Sequence, residues 1–352
     1  MQWKNTVTDL LRIDYPIVQA PMLGVSTPEM VAAVSNAGGL GSLPVGGLSA
    51  TVVADLIQKT RALTHKPFAV NLFAHSIPAV NEQEYLDMQE FLYQFAIKRQ
   101  LSFTKQPVSS LQFFTWEEQI DILINEKIPV VSFTFGILSD EAIARLKNNG
   151  TILIGTATSL KEAQLLADKG IDIITAQGIE AGGHRGTFLH DDEIPVIGLM
   201  SLIPEIVDAV KKPVLAAGGI MDGKALRAAF LLGAKGVQAG SAFIACNESS
   251  ASPSHKKQLI NATDTDIILT KNITGRWARG IRNEIMRQVE QSALTVPPYP
   301  YQIPLTIFAR NAGQKAGNED LMVIWAGQSA FKAKTKSAEE IFATLVQEAE
   351  AI

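Results

Sequence analysis

The sequence is poor in cysteine, in basic charge and in long apolar runs. Cys246 is the only cysteine among 352 residues, so one chain forms no internal disulfide and no thiolate cage around a metal. The 31 Lys and Arg stand against 35 Asp and Glu, a formal net charge of −4, which argues against nucleic-acid binding. No run approaches the ~20 apolar residues of a membrane-spanning helix, and the N-terminus lacks the apolar stretch of a signal peptide. We therefore expect a cytoplasmic protein that binds neither nucleic acid nor membranes.

The histidines are also without metal-ligand spacing. None of the five stands in an H-x-x-x-H pair, the spacing that places two imidazoles on one helix face. Asp191 and Asp192 beside His190 could bind a cation, but a solvated loop is the expected state. We expect no metal.

Short runs that are apolar on both faces alternate with segments of helical period. The runs span 16–20, 39–43, 67–73, 129–135, 151–157, 171–177, 213–219 and 236–243. Such runs predict parallel strands that helices cover on both sides. Eight alternations predict an α/β fold, a (β/α)8 TIM barrel. A doubly wound open sheet is the competing architecture.

The helix starts support this pattern. Thr27 followed by Pro28 predicts an N-cap and a first helical residue, with Gly38 as the stop. Ser159 and Glu162 have the spacing of a capping box.

Two stretches exceed a minimal barrel. Residues 74–126 are helical in pattern and longer than one crossover needs, and residues 246–322 are rich in loops. We interpret 246–322 as a small substrate-side domain inserted after strand eight. Residues 1–245 and 323–352 then form the barrel.

Glycine-rich stretches follow or end the last two predicted strands. "AAGGIMDG" begins at Ala216 and "QAGSAF" begins at Gln238. In a TIM barrel, loops at these places often hold phosphate, because glycine lets backbone N–H groups approach an anion. Ser241 adds a hydroxyl. The alternative is a pair of tight strand-helix turns without a ligand, since glycine loops alone are weak signals.

Neutral polar side chains stand at other strand ends, namely Gln19, Asn71, Ser132 and Gln177, and Met22 follows Gln19 in the same motif. Amides directed into one barrel mouth suit a ligand rich in carbonyl and ring-nitrogen groups. Pairing with each other or with loop backbone is the alternative, because buried amides without partners are costly.

The stretch "GIEAGGHRGTF", 178–188, places His184 between glycines and Arg185. Several glycines around one imidazole indicate a site where the backbone passes close to a ligand. His184 is suited to donate a hydrogen bond to an anion or to accept a proton. A structural histidine that caps its own loop is the alternative. Arg185 either braces the loop, for instance by pairing with Glu180, or adds charge for an anion; we favour bracing.

The order and spacing of several motifs resemble the bacterial nitronate monooxygenases. The motifs are "QAPM", "NLF", "AQGIEAGGHRG", "AAGGI", "QAGSAF", "TGRWARGIRNE" and "WAGQ". The resemblance implies an FMN-dependent TIM barrel that oxidises alkyl nitronates, such as propionate 3-nitronate, with O2. The products would be a carbonyl compound and nitrite, formed through one-electron transfer to the flavin.

The resemblance also implies site residues. His184 matches the family's active-site histidine. The FMN contacts would be Met22, Asn71, Gln177, Gly182, Gly218, Gly219, Gln238, Ala239, Gly240 and Ser241. Tyr299 and Tyr301 stand where substrate-facing aromatics are expected, and His75 has no assigned role. The partners would be a small anionic substrate and O2, and the assembly is open between a monomer and a homodimer.

Three other functions stay open. FMN-dependent enoyl-ACP reductases are similar in the "EAGGH" segment, and an NAD(P)H:quinone reductase uses the same scaffold. A phosphate-ligand binding barrel without redox activity is the third. Arg185, the chain length and "TGRWARGIRNE" favour the nitronate enzyme over the enoyl reductase.

Overall fold

The computed structural model describes residues 2–189 and 193–352. The suggested cation site at His190, Asp191 and Asp192 therefore lies outside the described residues. The strands are β1 Ile17–Gln19, β2 Gly41–Pro44, β3 Phe68–Phe73, β4 Val130–Thr134, β5 Ile152–Ala157, β6 Ile173–Gln177, β7 Gly183–His184, β8 Val214–Ala217, β9 Gly236–Ala239, β10 Ile267–Thr270 and β11 Ala278–Ile281.

The helices are distributed between and after these strands. They are α1 Thr6–Leu11, α2 Pro28–Asn36, α3 Ala50–Leu63, α4 Glu82–Lys98, α5 Glu117–Asn125, α6 Asp140–Asn148, α7 Leu160–Asp168, α8 Leu199–Ala209, α9 Gly223–Leu231, α10 Ser241–Ile244, α11 Pro253–Asn261, α12 Glu284–Gln291, α13 Gln302–Ala316 and α14 Ala338–Glu350. Across 2–189 and 193–352, none of them is both long and apolar enough to cross a membrane.

Eight parallel strands form the barrel. Their order is β1-β9-β8-β6-β5-β4-β3-β2, and a parallel bridge between Val18 and Leu40 joins β1 to the segment that enters β2. The closed order confirms the TIM barrel and excludes the open sheet. The eighth predicted strand, 236–243, was too long: β9 ends at Ala239 and α10 begins at Ser241. Gly240, with φ −108° and ψ −72°, turns the chain out of the strand.

Both predicted N-caps are present, but one of the two predicted cap motifs is incomplete. Thr27 caps α2, because its side chain accepts a hydrogen bond from the Met30 N–H, and Pro28 is the first helical residue. Ser159 likewise accepts from the Glu162 N–H. The reciprocal half of the capping box was wrong, because the Glu162 carboxylate accepts instead from the N–H and hydroxyl of Thr158, at 2.7 Å each.

A second hydrophobic cluster lies apart from the barrel core. Its buried members come from α4 and from the region between β10 and Leu321: Tyr85, Met88, Leu92, Phe95, Ile273, Ile285, Met286, Val289, Leu305, Ala309 and Leu321. Helix α4 therefore packs with residues of the 246–322 segment, which accounts for part of the long crossover at 74–126. The division at 245/246 and 322/323 stays a prediction.

A small antiparallel sheet ties this cluster to the barrel. β7, in the loop after barrel strand β6, pairs with β11, which also pairs with β10. His184 lies opposite Ala278 in this register. The position of His184 therefore depends on both the barrel and the later segment.

Candidate active site

A cavity of about 320 Å³ lies at the carboxyl ends of the barrel strands. Its walls come from the barrel loops and from the segment 251–329, the arrangement expected for the active face of a TIM barrel. Ten of the predicted site residues line it: Met22, Asn71, Gln177, Gly182, His184, Gly218, Gly219, Gln238, Gly240 and Ser241. Ala239 is buried in β9 and is not one of the described lining residues.

His184 is held on several sides. Its Nε2 lies 2.9 Å from the hydroxyl of Thr274. The imidazole packs against three aromatic rings, with centroid distances of 5.6 Å to Phe135, 5.8 Å to Tyr299 and 5.4 Å to Trp325. The histidine of the glycine motif is therefore fixed by strand pairing and packing rather than free at the end of a loop.

The environment of His184 keeps its imidazole neutral. Burial is the main cause that lowers the pKa of His184 to about 3, and the charge of Arg276 and the neighbouring His75 lower it further. Thr274 donates its hydroxyl proton to the carbonyl of Arg276 at 3.2 Å, which favours a proton on Nε2 of His184. Nδ1 is then the acceptor nitrogen.

The glycines around His184 have separate structural causes. A Cβ on Gly182 would collide with the backbone of Ala326 and Gly327, and one on Gly186 would lie 2.7 Å from Cγ2 of Thr156. Gly183 has open space at this position but a φ of +73°, in the region where residues with side chains are strained. Two glycines thus permit close packing, and one permits the turn.

Arg185 braces the loop that carries His184. The side chain is fully buried, and its Nη1 and Nη2 donate to the carbonyls of Gly178 and Gln177 at 2.6 and 3.0 Å. Burial lowers the pKa of Arg185 to about 10, so it stays charged at neutral pH. Glu180, the suggested partner, accepts instead from the Leu199 N–H at 2.9 Å. Arg185 therefore acts through backbone carbonyls.

Glu162 braces the same loop from the barrel side. It is fully buried, and Oε1 accepts from the Phe188 N–H at 2.6 Å and from the Thr187 hydroxyl at 2.9 Å. The sequence indicated only a helix cap at this position. Contacts between α7 and a distant loop leave no local signal in the sequence.

The amide side chains at the strand ends use part of their hydrogen-bonding capacity within the protein. Gln177 donates to the carbonyl of His184 at 3.1 Å and accepts from the Gly186 N–H at 2.8 Å. Asn71 donates to the Ser132 hydroxyl at 2.9 Å. Gln19 is buried and accepts from the Ser42 N–H at 3.0 Å; it does not line the cavity, unlike Met22 and the other three strand-end residues.

The two glycine loops meet at one end of the cavity. Gly218 and Gly219 have φ values of +133° and +66°, and Ser241 accepts a hydrogen bond from the Gly327 N–H at 2.9 Å. A Cβ on Gly219 would lie 3.8 Å from the Ser329 hydroxyl. This corner combines glycine backbone with hydroxyl groups, the chemistry that suits a phosphate.

Comparison with known proteins identifies the family. The family model described as nitronate monooxygenase matches residues 4–348. The chain belongs to the nitronate monooxygenase family. A probable nitronate monooxygenase of Staphylococcus aureus (strain Newman) is 41% identical over 346 residues, which cover 98% of this chain and 97% of the relative.

Solved structures agree with this assignment. A nitroalkane oxidase from Streptomyces ansochromogenes has 36% identity and a TM-score of 0.89, covering 99% of this chain and 98% of the other. FabK from Thermotoga maritima has 29% identity and a TM-score of 0.78, covering 99% and 97%. As a nitronate monooxygenase family member, the chain is an enzyme, a flavin-dependent oxidoreductase.

Some residues around His184 were not singled out in the sequence. Thr274 and Arg276 belong to the motif "TGRWARGIRNE", and Trp325 opens "WAGQ". Both motifs were part of the resemblance to the nitronate monooxygenases, but the sequence assigned no role to these three residues. Tyr299 lines the cavity. Tyr301 does not, and its ring packs on Phe113 at 5.1 Å.

Proposed function

We propose that the protein is an FMN-dependent enzyme that oxidises alkyl nitronates, such as propionate 3-nitronate, with O2 to a carbonyl compound and nitrite. The observation that carries this proposal is a half-buried, neutral His184 in a cavity whose described lining contains no Asp or Glu. A nitronate is an anion, and a cavity without carboxylates does not repel it.

The described residues fit FMN. The cavity falls in the size range of ligand sites. The backbone of Gly219 and Gly240 with the hydroxyl of Ser241 would hold the phosphate, and the amides of Asn71 and Gln177 would face the ring. A Cβ on Gly240 would lie 3.5 Å from Cβ of Ala20 and 3.7 Å from Sδ of Met22. A side chain at position 240 would therefore fill space that the phosphate needs. The bound flavin would supply the redox chemistry.

Met22, Gly182, Gly218 and Gln238 also line this cavity and complete the proposed contact set. Ala239 is proposed for its backbone alone, because its side chain is buried in β9.

The chain itself would orient the substrate and transfer a proton. Nδ1 of His184 would accept the α-proton of a neutral nitroalkane, while Thr274 fixes the ring through Nε2. The negative charge of the nitronate that forms beside the ring would stabilise the imidazolium, which burial disfavours. For a nitronate that is already ionised, the same imidazole would position the nitro group. The rings of Phe135, Tyr299 and Trp325 around His184 would limit the access of water to this end of the cavity.

The remaining expectations stay part of the proposal. They are O2 as the oxidant, a location in the cytoplasm, a monomer or homodimer, and a substrate-side domain at 246–322.

The test is anaerobic mixing of the flavin-loaded protein with propionate 3-nitronate and, separately, with NADH. We expect the nitronate to change the flavin spectrum, NADH to leave it unchanged, and nitrite to appear when O2 is admitted. Rapid bleaching by NADH with no response to the nitronate would refute the proposal in favour of an enoyl or quinone reductase.

A further inference from the structure

Phe135 lines the cavity with an unusual backbone conformation. Strand β4 ends at Thr134, and the next residue, Phe135, has a φ of +73°. A bulky side chain is disfavoured in this left-handed region, which glycine occupies at no such cost. Residues with side chains that keep this conformation cluster at functional sites, where the surrounding structure enforces it. The reason for the conformation therefore lies in what the side chain contacts.

Neighbouring backbone fixes this turn on both sides of Phe135. The Thr134 carbonyl accepts a hydrogen bond from the Ala74 N–H at 2.8 Å, and a Cβ on Gly136 would collide with the Ala74 carbonyl oxygen. The chain thus leaves β4 pressed against the segment that follows β3. Between these two contacts Phe135 joins the cavity wall, where it is only 5% exposed.

The ring of Phe135 contacts both a positive charge and the imidazole. The guanidinium carbon of Arg276 lies 4.3 Å from the ring centroid, within the distance of a cation–π contact. The His184 ring lies 5.6 Å away at an interplanar angle of 77°, an edge-to-face arrangement. Phe73 and Tyr299 also pack on the ring, with centroid distances of 4.7 and 5.7 Å. Phe135 therefore connects Arg276 to His184.

Arg276 is anchored to the loop that carries His184. Its Nε donates to the carbonyl of Arg185 at 3.4 Å, and its Nη2 donates to the carbonyl of Thr187. Arg276 is not one of the described residues that line the cavity, so its charge acts from behind the cavity wall. That charge is the second cause, after burial, that lowers the pKa of His184.

A filler of apolar volume does not account for Phe135. Leucine or methionine would fill similar space, but neither has the negative ring face that attracts a cation. Glycine would adopt the φ without strain, but it would leave no surface between Arg276 and His184. A strained turn that carries an aromatic ring indicates that the ring face is what the site requires.

We propose that Phe135 is a positioning residue, whose ring holds the Arg276 guanidinium and orients the His184 imidazole for proton transfer. The inference rests on the proposed function, in which Nδ1 of His184 takes the α-proton of a neutral nitroalkane. That proton moves from carbon to Nδ1 and leaves a nitronate anion beside an imidazolium. Phe135 takes no proton itself and acts through the two groups that it contacts.

The experiment compares Phe135→Leu, which removes the ring, with a matched control. The control is Phe133→Leu, because Phe133 is fully buried on the same strand, in the barrel core and outside the described cavity lining. We expect Phe135→Leu to lower kcat for 1-nitropropane roughly 3- to 30-fold, the value of a desolvated cation–π contact. With the preformed nitronate of 1-nitropropane, and in the control with either substrate, kcat should stay near the wild-type value.

The pH profile separates positioning from a loss of stability. From other elements, His75 after β3, Arg276 after β10 and Tyr299 before α13 face His184, and Phe135→Leu changes none of them. Without the ring, the guanidinium is no longer held near the imidazole, and water gains access to it. Both changes raise the pKa of His184 towards about 6.5. The acid limb of kcat/KM for 1-nitropropane should therefore move to higher pH in this variant and not in the control.

A double-mutant cycle with Arg276→Gln tests the connection between the two side chains. If Phe135 acts through the guanidinium, the double variant loses less kcat than the product of the two single losses. Losses that multiply would show that the two side chains act independently, and would overturn the proposal. A Phe133→Leu enzyme with the same loss and the same pH shift as Phe135→Leu would also overturn it.

A titration of the imidazole separates this inference from the proposed function. If the wild-type enzyme releases nitrite from neither substrate, the proposed function has failed. NMR of the flavin-loaded protein with isotope-labelled histidine still reports the protonation of His184, whose signal is assigned by its loss in His184→Asn. We expect His184 to titrate at a higher pH in Phe135→Leu than in the wild type and in Phe133→Leu. An unchanged titration in Phe135→Leu would reject the proposal.

Discussion

The hydroxyl of Thr274 lies 2.9 Å from Nε2 of His184 and joins the two parts of the active site. His184 comes from the loop after β6, and Thr274 comes from the segment between β10 and β11. The two residues are 90 positions apart in the chain. The ring that we assign to the chemistry is therefore oriented by the segment outside the barrel strands.

Replacing Thr274 tests this orientation. We expect Thr274→Val to lower kcat about 3- to 10-fold, the value of one hydrogen bond, because the imidazole loses the partner that selects its tautomer. Thr274→Ser should restore most of the activity. The contradicting result is a Thr274→Val enzyme with wild-type kcat and an unchanged pH profile.

The imidazole itself should matter most when the substrate still carries its α-proton. We expect His184→Asn to retain FMN but to lose activity on neutral nitroalkanes by roughly 10²- to 10⁴-fold, as for a lost general base. The loss on a preformed nitronate should be smaller. Nitrite release with both substrates measures the difference, and Tyr301→Phe, outside the cavity, serves as the control. Equal losses on both substrates would remove the base role.

The lowered pKa of His184 also predicts the pH dependence of stability. The pKa is about 3 in the folded protein and about 6.5 in an unfolded chain. Between these values the unfolded chain binds a proton that the folded protein does not. The stabilisation is therefore complete above about pH 6.5 and is lost as the pH falls towards 3.

Thermal unfolding between pH 4 and pH 8 measures this effect. We expect the free energy of unfolding to fall with decreasing pH more steeply in the wild type than in His184→Asn, by up to about 1.4 kcal/mol per pH unit. His255, whose pKa is about 4, adds to the slope in the same direction. Identical slopes in the wild type and in His184→Asn would show that His184 is not buried in the neutral form.

The glycines of the His184 loop predict a contrast between neighbours. Gly182→Ala should destabilise the protein and reduce flavin retention, because its Cβ would displace the backbone of Ala326 and Gly327, an overpacking cost of about 1–3 kcal/mol. Gly183→Ala meets open space and should cost about 1–2 kcal/mol through its positive φ alone. Thermal unfolding and flavin absorbance distinguish the two. A Gly182→Ala protein that keeps its flavin and its Tm would refute the packing argument.

The barrel could be predicted because its signals are local. Apolar runs such as 67–73 and 151–157 became β3 and β5 within one residue at each end, and Thr27 capped α2 as predicted. The end of β9 was mispredicted because the short segment "SAF" is compatible with a strand and with a short helix. Only the turn at Gly240 shows that the helix is formed. The glycine motif likewise identified the His184 loop, through residues adjacent in the chain.

The amino-acid sequence by itself determined the alternation of strands and helices, the family and ten site residues that line the cavity. Periodicity, caps and glycines act over a few residues, so they are readable in order along the chain. Tertiary structure alone decided that Thr274 and Trp325 contact His184, that Glu162 holds the 187–189 loop, and that Arg310 faces the cavity without an acid. These depend on burial and on contacts between distant segments, which exist only after the chain has folded.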